Sequence, residues 1–362
     1  KPCRQLKSKR FACVSAEQAT SWSAAIQNLL RGASLDAPLP SQRPRWLVVI
    51  NPVSGNRLGL KVMDSCRPLF EAAGIALNEV ITTHQGHAGE VIAQLNIAAV
   101  DGVVCVGGDG IVYEVVNALM SRPDADELVA SLPIGVLPAG TGNSLSCSLL
   151  HAAKEPLHHM SAAFRILRGR VHPLDLWKVS QPGKVGFGFL SLEWALASDI
   201  DIGSEKLRCL GPLRFDVYAL WRIVTQWKYT GTLRMRRKGQ SEWESVEGQF
   251  VMLWGMNMKW ATADAQITPQ AEFADGCADI VVVQKVSRMA MLCNFLDLSS
   301  GDHAKAPWVQ YYKVEEFELD PLPRTPRDPG MVAIDGELWP FAKTSVQVLP
   351  RKLMILGGPS ND

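Results

Sequence analysis

The stretch VVCVGGDGIVYEVVNALM, residues 103–120, sets one acidic side chain, Asp109, among three glycines, between an apolar run and a helical pattern. A short apolar run that feeds a glycine-rich turn, which at once opens a helix, is the signature of a layered α/β domain with ligands at the carboxyl ends of its strands. A turn this bare leaves backbone N–H groups open to an anion, and the dipole of the helix behind it adds to the attraction.

Working outward, the same alternation continues on both sides. WLVVI at 46–50 predicts a strand, 58–73 a helix, LNEVITT at 77–83 an extended segment, 86–95 a helix and GVVCV at 102–106 a strand. The helix at 111–121, the strand PIGVLPAG at 133–140 and the helix at 142–150 complete the series. Three more strand-to-helix turns carry small residues: NPVSGNRLG from Asn51, TTHQGHAGE from Thr82, and PAGTGN ending at Asn143. Neither GxGxxG nor GxxxxGK[ST] occurs, so a dinucleotide fingerprint and a Walker-type loop are both unsupported, and a phosphate site here is of another kind.

After residue 172 the texture becomes β-rich, in segments such as LDLWKVS, YTGTLRMRRK, ADIVVVQKV and MVAIDGELW, interrupted by a helix near 212–227. This predicts a β-sandwich-like second domain. At the other end, FACV reads as a short strand and Ser15 as the cap of a helix that shows Trp22, Ile26 and Leu29 or Leu30 on one face. Residues 33–45 have the Pro and polar bias of a linker, and PLPRTPRDPG at 321–330 that of a surface loop.

Composition excludes several classes. With 47% hydrophobic and 20% charged residues over 362 positions the chain is too apolar for disorder and long enough for two cored domains. Lys and Arg total 37 against 36 Asp and Glu, so no overall field draws it to nucleic acid. The eight cysteines are scattered, with no CxxC pair or metal-ligand spacing, which predicts a reducing, cytoplasmic setting. No uncharged apolar run approaches the roughly 18 residues of a membrane span, no secretory leader is read, and a start at Lys1 rather than Met predicts further residues upstream.

Taken together and in order, INPVSG (50–55), TTxxxHA (82–88), GGDG followed by Glu114, and PAGTGN (138–143) resemble the catalytic domain shared by diacylglycerol, ceramide and sphingosine kinases. GFLSLEWALASDIDIGSEKLRCLGPLR (188–214) and the later IDGEL (334–338) resemble the sphingosine, or sphingoid long-chain base, kinases in particular. The resemblance runs from about residue 45 to 357. It implies an α/β fold in which an N-terminal α/β nucleotide-binding domain (46–172) is followed by a C-terminal β-sandwich-like lipid-binding domain (173–357), with ATP in the cleft between them. Residues 33–45 are then a linker, and residues 1–32 resemble the closing strand and Trp-bearing helix of a pleckstrin-homology-like module, of which they would be a remnant.

Site residues come from matching to the family. Phosphoryl transfer to a hydroxyl needs a carboxylate to take or orient the proton, and positive groups with Mg2+ to hold the phosphates in line. Asp109 matches that catalytic carboxylate, and with Gly107, Gly108 and Gly110 it is expected to meet the substrate. Without the resemblance, Asp109 reads as an Asp favoured by turn geometry. For ATP the match gives Asn51, Pro52 and Val53, then Thr82, Thr83, His84, Gln85 and Gly86, then Glu114, and then Gly140, Thr141 and Gly142. Arg208 and Arg214 match arginines that reach the triphosphate, where bidentate donors suit phosphate oxygens. Asp335, Gly336 and Glu337 match a turn that closes on the nucleotide, and as plain sequence they are a hairpin turn. Mg2+ is expected to arrive with ATP, with no direct protein cage.

Asp201 matches the carboxylate that holds the ammonium of a sphingoid base, with Asp199 and Glu205 as assistants; read alone, Asp201 caps a helix starting near Ser204. The function implied is ATP-dependent phosphorylation of the primary hydroxyl of sphingosine or a related sphingoid base to the 1-phosphate. The alternatives are a ceramide kinase, which lacks the acid at Asp201 because its substrate nitrogen is acylated, and a non-catalytic lipid-binding relative. A membrane-resident substrate implies a cytoplasmic protein in peripheral membrane contact. The helix near 212–227, with Phe215, Leu220, Trp221 and Ile223, is either that contact or core. A homodimer is left open.

Overall fold

RWLVVI at 45–50 and GVVCVG at 102–107 are apolar without alternation, the pattern of strands covered on both faces, and they form the two central strands of a parallel sheet. The computed structural model describes residues 3–5, 7, 9, 11–211, 213–225 and 227–358. They divide into two units, one running to His172 and resuming at Met354, the other Pro173–Leu353.

The first unit opens with α1 (Ala16–Leu30), then β1 (Arg45–Ile50), α2 (Ser54–Arg57), α3 (Gly59–Ala72), β2 (Ala76–Ile81), α4 (His87–Ala93) and β3 (Gly102–Gly107). It continues with α5 (Asp109–Met120), α6 (Ala125–Ser131), β4 (Ile134–Pro138), α7 (Ser144–Ala152) and α8 (His159–Leu167). β1 pairs in parallel with β2 on one side and β3 on the other, and β3 pairs in parallel with β4. The order 2-1-3-4 therefore reverses between β1 and β3, and because all four strands run the same way, the four small-residue turns gather at one end. Behind them Val48, Ile50, Val104 and Val106 pack on Met63, Cys66 and Phe70 of α3 and on Ala163 and Ile166 of α8.

One expectation for this unit needs correction, and one helix was not expected. Residues 11–14 form no strand; Phe11 and Val14 are exposed, and a lone extended run gains no ladder hydrogen bonds. Helix α6 is not legible in the sequence, because seven residues between two better signals show too little periodicity. The Ser15 cap is present, its Oγ accepting from the Gln18 amide at 3.1 Å.

The second unit takes in all but the first two residues of β5 (Val171–Gln181), then β6 (Lys184–Gly188), β7 (Ser191–Ala195), α9 (Leu196–Gly203), α10 (Leu213–Thr225), β8 (Tyr229–Arg237), β9 (Trp243–Phe250) and β10 (Met252–Met256). After these come β11 (Ala278–Val283), α11 (Arg288–Leu296), β12 (Val309–Pro321), β13 (Val332–Ile334), β14 (Glu337–Trp339) and β15 (Thr344–Leu356), whose last three residues return to the first unit. Strands β13, β7, β10, β11 and β12 are antiparallel neighbours in that order, β14 closes a hairpin on β13, and β12 also pairs with β8 and β15. Helices α9 and α11 are absent from the sequence reading. LASDIDIG, the whole of α9, is eight residues long and continues from β7 with no loop. The join is Ala195, held at φ 62°, a conformation that costs a residue bearing a Cβ about 1–3 kcal/mol. That sharp reversal folds α9 back beside the strand it leaves.

Candidate active site

Glycine is required where the turns of the first unit meet. A Cβ on Gly140 would stand 2.5 Å from Gly108 Cα and 2.9 Å from Gly108 N, and one on Gly55 would stand 2.6 Å from the Ala139 carbonyl oxygen. The turns after β1, β3 and β4 therefore pack backbone to backbone with no room for a side chain, and glycine-rich turns that open helices are the kind of backbone that binds phosphate. Asn143, in the left-handed region at φ 56°, closes the last turn on itself: its Oδ1 accepts from the Gly140 amide at 2.8 Å and its Nδ2 donates to the Gly140 carbonyl at 2.7 Å.

Asp109 stands at the start of α5, and its carboxylate reaches the first turn of α7, accepting from the Ser144 amide at 2.7 Å and the Leu145 amide at 3.1 Å. Burial pushes its carboxyl above the ordinary range, and those amides pull it part of the way back. A carboxylate held this way keeps lone pairs for a further proton while its position is fixed by backbone.

The turn after β2 is tied to α5 as well. Gly86, at φ 90°, donates its amide to Glu114 Oε1 at 3.0 Å, so Glu114 shapes the turn directly. Thr82 is anchored by its amide on the Ile50 carbonyl at 2.8 Å, and the Thr83 amide donates to His87 Nδ1 at 3.1 Å. His84 stacks on His87 with ring centroids 5.0 Å apart and bonds Glu90 at 3.0 Å, which holds the Glu90 carboxyl low. In the turn after β1, Asn51 Oδ1 accepts from the Val53 amide at 3.1 Å, Pro52 is half-buried, and the Val53 and Arg57 side chains face solvent. Gln85 is exposed, and Gly107, Gly110, Thr141 and Gly142 lie along the other two turns. Among the described residues no group of three or more His, Cys, Asp or Glu is placed to hold a metal ion.

In the second unit, Asp335 and Gly336 take φ 52° and 78° in the two-residue turn between β13 and β14, the geometry an Asp-Gly pair favours. The Asp335 carboxylate accepts from the amides of Phe189, Leu190 and Ser191 at 2.8, 2.9 and 2.8 Å, which locks the turn against the start of β7. Glu337 begins β14 and is half-buried. Asp201 lies in the last turn of α9, not ahead of a helix, so the capping reading is corrected: α9 starts at Leu196, and the 3-10 segment Ser204–Leu210 continues from it. A Cβ on Gly336 would stand 3.3 Å from Asp201 Oδ2. Asp199, expected as an assistant, is engaged elsewhere: Arg222 Nε donates to it at 3.1 Å, and the Tyr229 hydroxyl lies 2.8 and 2.7 Å from its two oxygens. Glu205 is ion-paired with the buried Arg214, whose guanidinium lies 4.4 Å from the Phe215 ring centre. The side chain of Arg208 lies outside the described residues.

One acidic residue beside Asp201 was missed. Glu193, in the middle of β7, is 5% exposed and accepts from Ser191 Oγ at 2.9 Å. Burial first, and then the charges of Asp201 and Asp335, push its carboxyl well above the ordinary range. The signal was present in the sequence as a lone charge inside the apolar run FLSLEWALA.

Two family models match the chain, the diacylglycerol kinase catalytic domain over residues 45–179 and the YegS C-terminal NAD kinase beta sandwich-like domain over residues 201–357. A diacylglycerol kinase structure from Bacillus anthracis str. Sterne superposes with a TM-score of 0.61 at 17% identity, covering 89% of this chain and 99% of that one, a likeness of fold alone. The class is therefore that of kinases built on the diacylglycerol-kinase catalytic domain. Over 350 residues the chain is 34% identical to sphingosine kinase 1 of Arabidopsis thaliana, covering 86% of this chain and 72% of that protein. It is 28% identical over 354 residues to sphingosine kinase 1 of Homo sapiens, covering 87% of this chain and 91% of that protein. The chain belongs to the sphingosine kinase family.

Proposed function

We propose that the protein transfers the γ-phosphoryl group of ATP to the primary hydroxyl of a sphingoid base. The observation that carries this reading is Asp109: a half-buried carboxylate fixed by two backbone amides, beside glycine turns packed too closely to admit a side chain. Its raised affinity for a proton suits a group that must take or orient the hydroxyl proton. The backbone of the turns at Asn51–Gly55, Gly107–Gly110 and Gly140–Gly142 would hold the triphosphate, with Arg208 and Arg214 as further donors. Mg2+, carried on the phosphates, would neutralise charge that develops on them. Asp201 would hold the ammonium of the base and so exclude an N-acylated lipid.

A peripheral, cytoplasmic encounter with membrane is part of the same proposal. No described helix is long and apolar enough to cross a membrane. Leu213, Val217, Leu220, Trp221 and Val224 line one face of α10 at half exposure or near it, whereas Ile223 is core. An apolar stripe of this length would rest at the headgroup boundary.

The test is incubation of purified protein with ATP, Mg2+ and, separately, sphingosine, ceramide and diacylglycerol in detergent, with lipid phosphate scored by mass. Phosphate on sphingosine alone, abolished in Asp109→Asn and weakened in Asp201→Asn, is the expected result. Phosphate on ceramide that is indifferent to Asp201→Asn would overturn it.

A further inference from the structure

Arg351 stands in β15 beyond that strand's last pairing with β12, at Gln347, and takes φ 53°, a left-handed conformation that glycine enters freely and a residue with a Cβ enters at a cost. The fully buried Asp175 of β5 holds it there. Asp175 Oδ1 accepts from the Arg351 amide at 2.7 Å, and Oδ2 accepts from the Gly276 amide at 2.6 Å. Gly276 and Arg351 both line one open cleft of about 640 Å3, so a single buried carboxylate fixes two parts of its wall. Glycine would make the same bend without strain, so the strain is explained by the side chain that the bend presents to the cleft.

Five charged side chains line this cleft: Arg236, Lys238, Arg351, Asp275 and Glu315. Both acids are paired, Glu315 with Arg236 at 2.6 Å and Asp275 with Lys313 at 2.9 Å. Two of the cations are not. Lys238 Nζ donates to the Asp275 carbonyl at 2.7 Å and meets no carboxylate, and the Arg351 guanidinium has no hydrogen bond or ion pair among the described residues. Gln347, also on the wall, adds a side-chain amide with no partner among those residues. A guanidinium fork, an ammonium and an amide N–H, left over once the acids are neutralised, suit a tetrahedral oxyanion. Ala274, Val348 and Pro350 give the same cleft an apolar side, and its volume exceeds that of a bare phosphate, so there is room for an organic group on the anion.

We propose that the cleft is a binding site for a phosphate monoester, with Arg351 and Lys238 as its charged donors and Gln347 as a neutral one. None of the three belongs to the proposed catalytic, nucleotide or ammonium set, so the site goes beyond the function proposed above and does not depend on it. A monoester carries roughly −1.5 to −2 charges at neutral pH and three acceptor oxygens, enough for the fork and the ammonium at once. A diester has one charge to divide between them. Phosphorylated lipids and small soluble esters carry the same group, and the test separates the two sources.

Glycerol 3-phosphate and its diester counterpart glycerophosphocholine are titrated calorimetrically into the protein, with a non-hydrolysable ATP analogue and Mg2+ present throughout. Phosphatidylcholine vesicles with and without ceramide 1-phosphate, a lipid monoester that has no ammonium, are sedimented with the protein in parallel. Each arm uses wild type, Arg351→Gly and Lys238→Met. Arg351→Gly keeps the left-handed bend while removing the guanidinium, so its melting temperature should hold, and Lys238→Met changes an exposed position. Wild type should bind a monoester more tightly than the diester, each substitution should weaken that binding roughly tenfold, and sphingosine turnover should be unchanged in both variants. Binding of ceramide 1-phosphate alone would assign the site to a lipid headgroup, and of glycerol 3-phosphate alone to a soluble ester; either sustains the inference. It is overturned if neither monoester binds, if the diester binds as tightly, or if both variants bind like wild type. Loss of binding in Arg351→Gly together with a lower melting temperature, while Lys238→Met binds normally, would assign Arg351 to the fold and overturn it too. Monoester binding through Arg351 and Lys238 in a protein that phosphorylates no sphingosine would sustain the inference and sink the proposed function.

Discussion

Asp109 is asked to be two things, a helix cap and a base. As a cap it accepts from the Ser144 and Leu145 amides at the positive end of α7, where a negative charge is favoured. Half-buried and desolvated, it resists ionisation. Asp109→Asn keeps one acceptor, loses the other, and removes the desolvated charge, so the stability terms largely offset. Urea unfolding should move by less than about 2 kcal/mol, while turnover falls by roughly 10²–10⁴. A large stability loss would mean that the carboxylate is chiefly structural. Glu193 gives a pH signature with a definite sign. Its folded affinity for protons lies above the unfolded one, so its contribution to stability is full at pH below the ordinary carboxylate range and is lost as pH rises through the raised value. Glu193→Gln should therefore gain melting temperature relative to wild type as pH goes from 5 to 8.5. A constant offset between the two proteins across that range would show that Glu193 does not titrate there. Asp109 was legible in the sequence because glycines announce a turn. Glu193 was not, because whether a charge inside an apolar strand is buried depends on which strands flank it.

At the level of elements, the carrier of Asp201 is α9, and α9 is held by a buried triad. Arg222 of α10 and Tyr229 of β8 both bond Asp199, two residues before Asp201, and the Arg222 and Asp199 side chains are 1% and 3% exposed. The Arg222 guanidinium also lies 3.4 Å from the Trp227 ring centre, and that of Arg324 lies 3.6 Å from the same ring. Breaking such a pair from one side leaves a buried charge without its partner. Asp199→Asn is therefore expected to cost about 3–5 kcal/mol in chemical denaturation, and to weaken sphingosine binding more than nucleotide binding. Equal weakening of both would place the triad's influence outside α9. None of this is legible in DIDIG, where Asp199 and Asp201 look alike. They point into different surroundings because they lie two apart on a helix, and the helix itself was missed for its shortness and for the strained join at Ala195.

Across the whole molecule, each unit should answer to its own ligand. A non-hydrolysable ATP analogue with Mg2+ at about 100 times its dissociation constant should stabilise the protein by about 2.7 kcal/mol, read as a rise in melting temperature. Gly140→Ala, which forces a methyl group onto the Gly108 backbone, should lose that rise. An undiminished rise in that variant would put the nucleotide elsewhere. By itself the sequence determined the α/β character of residues 45–152, the places of its four turns and the β-rich texture beyond residue 172, since strand and helix periods and glycine turns are local properties written into neighbouring residues. Only the tertiary structure decided the rest. Parallel pairing in the order 2-1-3-4 brought the turns to one end, β7 and α9 folded back to set Glu193 against Asp201, and Arg222 and Tyr229 took Asp199 out of the site. Those are contacts between residues far apart in the chain, or reversed by a single strained join, and their energies depend on burial that no local window contains.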